Sequence, residues 1–152
     1  MKCDFGELEL EDRSEVFIAE LLNVFSYRRE MPNLRIETNV SQENIKDLQT
    51  CLAELSKTVS ESTGKPEQYI MIQIVPGLPM MFGGSDAPCA SAFFSSIGKI
   101  GAEENKVHAA AVYPLVAKHL GVAEDRMYIL FNNAEYHNMA WKGTTFAALL
   151  GK

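Results

Sequence analysis

Met31-Pro32-Asn33-Leu34-Arg35-Ile36-Glu37-Thr38 is the stretch whose reading decides the fold. From Pro32 onward, Leu34, Ile36 and Thr38 alternate with Arg35 and Glu37. That two-residue period is the mark of a half-buried strand. Ahead of the proline the period is different. Over residues 14–27, Phe17, Ile18, Leu21, Leu22 and Phe25 fall on one helical face, with Ser14 placed to cap it. The chain therefore divides at Met31-Pro32. Residues 1–30 read as an N-terminal extension, either an amphipathic helix or a disordered segment, and residues 31–152 as one compact domain. The apolar stripe of the extension either packs on that domain or serves as a docking helix or pocket cover.

Working outward from the first strand, Ser41 is placed to cap a helix. Ile45, Leu48, Cys51, Leu52, Leu55 and Val59 recur at three- and four-residue steps, Gly64 stops them, and Pro66 prevents resumption. Tyr69 to Val75 is almost continuously apolar, the pattern of a strand buried on both faces, and Pro76-Gly77 closes it. Met80 to Gly84 reads as a short edge segment or loop. The order then repeats: a strand from Cys89 to Ile97, a helix over 103–120 stopped by Gly121, and a strand from Met127 to Asn132. A tail from Ala134 carries Trp141 and Phe146. Pro114 falls inside the second helix, where it removes a backbone bond and should kink the helix at a cost of up to ~3 kcal/mol.

Two β-α-β repeats in one four-stranded mixed sheet give an α+β (α/β) fold. Right-handed crossovers put both helices on one face. The strands Tyr69–Val75 and Met127–Asn132 are apolar on both sides, so the other face needs cover, and association with further copies of the chain is expected.

Composition excludes several classes. At 152 residues the chain suits one domain with a real core. A net charge of -6 argues against nucleic-acid partners, and no apolar run reaches the roughly 18 residues of a spanning helix, so membrane insertion is not expected. The N-terminus does not resemble a secretory signal. Glu7, Glu9, Glu11 and Asp12 occupy the region that should be positive, and Glu20 breaks the apolar stretch. The three cysteines, Cys3, Cys51 and Cys89, have neither disulfide-framework nor zinc spacing, and no metal or cofactor site is expected. His108, His119 and His137 lack a second ligand at metal spacing, so surface or capping roles are expected. Gly83-Gly84-Ser85 lacks the lysine and the strand–helix setting of a phosphate loop.

Several further motifs carry a resemblance. They are Thr63-Gly64-Lys65-Pro66-Glu67-Gln68-Tyr69, Met81-Phe82-Gly83-Gly84-Ser85, Pro88-Cys89-Ala90, Ser95-Ser96-Ile97-Gly98-Lys99-Ile100-Gly101, Asp125-Arg126-Met127-Tyr128-Ile129 and Trp141. With Met31-Pro32, they resemble the macrophage migration inhibitory factor family from Met31 to about Ala147. The resemblance implies the tautomerase fold, assembled as a homotrimer. It also implies keto–enol tautomerase activity on small aromatic α-keto acids such as phenylpyruvate, or on dopachrome-like compounds. A cytokine-like role follows too, in a cytoplasmic protein secreted by a leaderless route and acting through a cell-surface receptor.

Site residues follow from the same resemblance. Pro32 is the general base, provided its nitrogen is a free secondary amine. Lys65 and the backbone N–H of Ile97 bind the substrate carboxylate. Tyr69, Tyr128, Met139, Trp141 and Phe146 build an aromatic pocket across a subunit boundary. Three positions depart from the family pattern. Leu130 stands where an asparagine usually reaches a ring hydroxyl, Asn33 replaces an apolar residue beside the proline, and the Cys-x-x-Cys pair is absent, Cys89 being followed at its third position by Ala92. Residues 1–30 are the largest departure. If they remain attached, the nitrogen of Pro32 is an amide with no usable lone pair, and the chain would be a catalytically silent interaction protein. Processing at Arg28-Arg29 would make the extension a switch.

Overall fold

The computed structural model describes residues 31–152. The helix expected over residues 14–27, its Ser14 cap, Arg28-Arg29 and Cys3 lie outside the described residues. Strand β1, Asn33–Thr38, buries Leu34, Ile36 and Thr38, as its alternation dictates. It runs parallel to β2, Met71–Val75, and antiparallel to β3, Ala90–Ser96, which is parallel to β4, Met127–Asn133. The sheet order is β2-β1-β3-β4. Helix α1, Leu48–Thr63, links the first parallel pair and α2, Ala102–Leu120, the second, and the two helices pack against each other. The core lies between them and the sheet. Leu34, Ile36, Ala92 and Phe94 meet Cys51, Leu55 and Val59 of α1 and Val112, Val116 and Leu120 of α2. Each large side chain buried there contributes roughly 1.5–3 kcal/mol relative to exposure.

Local chemistry moves some boundaries. Ser41 precedes only a short 3-10 turn, Gln42–Asn44, and its side chain makes no capping bond. The extended backbone of Ile45 interrupts the path to α1. The cap of α1 is Asp47, whose carboxylate accepts the Thr50 N–H at 2.9 Å and the Thr50 hydroxyl at 2.6 Å. Tyr69 ends a 3-10 turn, Glu67–Tyr69, and does not begin β2. Helix α2 passes through Pro114 unbroken. Pro114 and Ala110, the residue whose carbonyl loses its partner, are both on the exposed side, where water can donate to that carbonyl instead. The segment after β4 folds as a hairpin of β5, Ala140–Trp141, and β6, Thr144–Thr145, followed by a short helix α3, Phe146–Leu150.

The sheet face away from the helices is less uniformly apolar than its outer strands suggest. By register, its rows are Met71–Asn33–Ser95–Asn132, Gln73–Arg35–Phe93–Leu130 and Val75–Glu37–Ser91–Tyr128. Met71, Phe93, Tyr128 and Leu130 are exposed there, but Arg35 and Glu37 form a 2.8 Å ion pair on the central strand β1. The face is apolar in patches around a charged pair.

Candidate active site

Pro32 is buried at the entrance to β1, and its carbonyl accepts the Met71 N–H at 3.0 Å. Asn33 pairs with Ser95 on one side and Met71 on the other. One step outward, Pro32 therefore lies beside Ser96 and Ile70. Ile97, 2% exposed, follows at the end of β3. The turn there is fixed by Gly98, whose N–H donates to Asn133 Oδ1 at 3.0 Å.

Lys65 occupies the turn that ends α1. Gly64 takes φ +69°, the left-handed cap only glycine adopts freely. The Thr63 hydroxyl donates to the Val59 carbonyl at 2.6 Å and accepts the Lys65 N–H at 3.3 Å. The Ser60 hydroxyl donates to the Lys65 carbonyl at 2.6 Å. These bonds lock the lysine's backbone. Burial, and next the neighbouring Lys99 charge, lower its ammonium pKa to about 8. It remains mostly charged at neutral pH, unlike a lysine pushed below it.

The aromatic wall starts beside the proline. Tyr69 meets Trp141 edge-on at 5.9 Å, and Trp141 lies nearly parallel to Phe146 at 6.5 Å. Lys142 and Gly143 both take positive φ, as a two-residue hairpin turn requires, and this holds Trp141 on its short strand. Met139 joins through its carbonyl, which accepts the Phe146 N–H at 2.9 Å. Pro32, Lys65, Tyr69, Ile97, Met139, Trp141 and Phe146 thus belong to one end of the sheet. Tyr128 does not. It sits in the Glu37 row, five residues along β1 from Pro32, or roughly 16 Å at 3.3 Å per residue. It packs instead against Phe82, with ring centroids 5.0 Å apart and planes tilted by 44°.

Two residues with structural weight at these loops escaped the sequence reading. Arg126 donates to the carbonyls of Phe82, Ser85, Ala87 and Pro88 and covers the Phe82 ring, so it latches the loop that backs Tyr128. His108 is not a surface residue: it is 1% exposed, and its ring bridges Ser62 and the Lys99 carbonyl. Its spacing with Val112, Val116 and Leu120 places it on the apolar stripe of α2, a signal that could have found it. His137 is exposed, and His119 bonds to Glu54 at 2.7 Å. That bond, and then Lys118, hold the Glu54 carboxyl below its ordinary range. Burial raises the Cys51 thiol to about 11, which makes it a packing residue and not a nucleophile. Among the described residues no cluster of three or more His, Cys, Asp or Glu could hold a metal ion.

Fold and site together define a class: a small α+β protein with one mixed sheet, two covering helices, and a buried proline, lysine and aromatic wall at one sheet end. The model for the macrophage migration inhibitory factor family matches residues 31–147, and the chain belongs to that family. The macrophage migration inhibitory factor of Xenopus laevis is 40% identical over 117 residues, covering 77% of this chain and all of the frog protein. The homolog from Brugia malayi is 40% identical over 116 residues, 76% of this chain and 99% of that protein. Among solved structures, that of the Trichinella spiralis factor superposes with a TM-score of 0.71 at 30% identity, covering 74% of this chain and 98% of that one. The homologue from Prochlorococcus marinus gives 0.71 at 31% identity, covering 75% and 98%.

Proposed function

We propose that this chain is a keto–enol tautomerase of the phenylpyruvate or dopachrome type, working as a homotrimer with Pro32 as general base. The observation that carries the reading is a buried proline at the start of a central strand, at the same end of the sheet as a buried lysine that stays mostly charged. Burial and a nearby cation both disfavour protonation of a prolyl amine, which brings its pKa towards neutrality. With the substrate carboxylate held by Lys65 and the Ile97 N–H, the free amine removes a proton from the carbon beside the keto group. The carbonyl becomes the enol as its oxygen gains a proton, so that no net proton is lost. Such a base is worth about 10²–10⁴-fold. Trp141, Tyr69, Met139 and Phe146 hold the ring and exclude water. Tyr128, too far along β1 to reach Pro32 of its own chain, would close the pocket of a neighbouring copy.

A second reading keeps the trimer and drops the chemistry. In the sequence as it stands Pro32 follows Met31, and the nitrogen between them is an amide. A chain that retains residues 1–30 would act only through its surface, as a cytokine-like ligand of a cell-surface receptor. In both readings it is cytoplasmic and leaves the cell by a leaderless route. The test is a Pro32→Gly change in protein beginning at residue 32, verified by intact mass. Phenylpyruvate enolisation should fall about 10²-fold or more; unchanged turnover would clear Pro32 of the role of base.

A further inference from the structure

We infer that His108 is a positioning residue that sets the spacing of the two carboxylate contacts; its kinetic consequence rests on the tautomerase reading above. The imidazole is 1% exposed and lies flat on Phe94, with ring centroids 4.8 Å apart and planes 11° apart. Nε2 is 2.7 Å from the Lys99 carbonyl and Nδ1 is 3.0 Å from Ser62 Oγ. A carbonyl only accepts, so Nε2 carries the proton. In the neutral ring Nδ1 then accepts from the Ser62 hydroxyl. Stack and bonds together fix the ring in plane and in rotation.

One bond ends in the last turn of α1 and the other in the turn after β3. Lys99 closes the turn that begins at Ile97, and it holds φ +57° without being glycine. That conformation is disfavoured in an L-residue, and a short bond to its carbonyl offsets the cost. Ser62 lies three residues before Lys65, inside the hydroxyl-bonded turn formed by Ser60 and Thr63. One ring bonds both Ser62 and Lys99, so the end of α1 and the turn after β3 are neighbours across the imidazole. One side chain from α2 therefore clamps together the segments that present the Ile97 N–H and the Lys65 ammonium. A planar carboxylate needs both at fixed spacing. Loosening the clamp weakens ground state and transition state alike, which raises KM and leaves kcat nearly unchanged.

The test uses His108→Gln, whose amide can reproduce the Nε2 donor to Lys99, and His108→Asn, which reproduces only the Nδ1 position. Amide NMR shifts of Ile97, Gly98 and Lys99 are followed in the full chain. Phenylpyruvate kinetics are followed in protein beginning at residue 32, which keeps all but the first residue of the family match at residues 31–147. His108→Asn should move all three amides and raise KM about ten-fold, the loss of one buried bond, with kcat nearly unchanged. His108→Gln should leave both close to the parent. Unmoved amides in His108→Asn, or equal losses of kcat and melting temperature in both variants, would overturn the clamp. If the parent does not turn over, the tautomerase reading fails and the amide shifts alone decide. If His108→Asn does not fold, Ser62→Ala should displace the Gly64 and Lys65 amides, and no displacement would contradict the inference.

Discussion

Lys65 must keep its charge while buried, and its lowered pKa gives the site a pH limit. Below about 8 the ammonium is present, and above it the folded protein loses the proton while an exposed lysine would keep it. KM for phenylpyruvate should therefore rise between pH 7 and 9, and a flat profile would show that Lys65 does not bind the carboxylate. Lys65→Ala should raise KM at pH 7 by about ten- to a hundred-fold, as expected for a lost bond to a charged group. At this scale the sequence was legible in the motifs that carry the family match, whose span includes Pro32 and Lys65. For His108 the helical spacing signals burial but not the partners, because its two bonds come from segments 46 and 9 residues away. Nothing in its immediate neighbours announces them.

Among the elements, the loop from Phe82 to Pro88 is held by Arg126 together with Asn39. Arg126 spreads its donors over four carbonyls, and the Asn39 amide donates to those of Asp86 and Ala87. Arg126→Ala should lower unfolding stability by roughly 2–4 kcal/mol in urea melts. Arg126→Lys should recover little, because a compact ammonium cannot span that fork. A loss below about 0.5 kcal/mol would mean water replaces the latch. Strands and helices were readable because their periods are strong, as Leu34-Ile36-Thr38 and Cys51-Leu55-Val59 show. Their ends were less so. Ser41 and Asp47 are both acceptable caps by residue type, and only the extended backbone at Ile45 decides between them. The β5–β6 hairpin escaped notice because two-residue strands carry too few residues for a period.

For the whole molecule, the open sheet face is the decisive surface. Its exposed Met71, Phe93, Leu130 and Tyr128 surround an Arg35–Glu37 pair, a pattern that suits an interface lining a wet interior better than a dry core. An exposed apolar face was visible in the outer strands, whereas the central ion pair was not, because alternation alone does not pair Arg35 with Glu37. Light scattering should return three chain masses, and a monomer would leave Tyr128 without a pocket to complete. The central claim is that catalysis needs a free nitrogen on Pro32. It is tested most directly by the phenylpyruvate enolisation rate of protein beginning at residue 32, set beside protein of intact mass for residues 1–152. Turnover is expected in the first and only the uncatalysed background in the second. Equal turnover in both would contradict it.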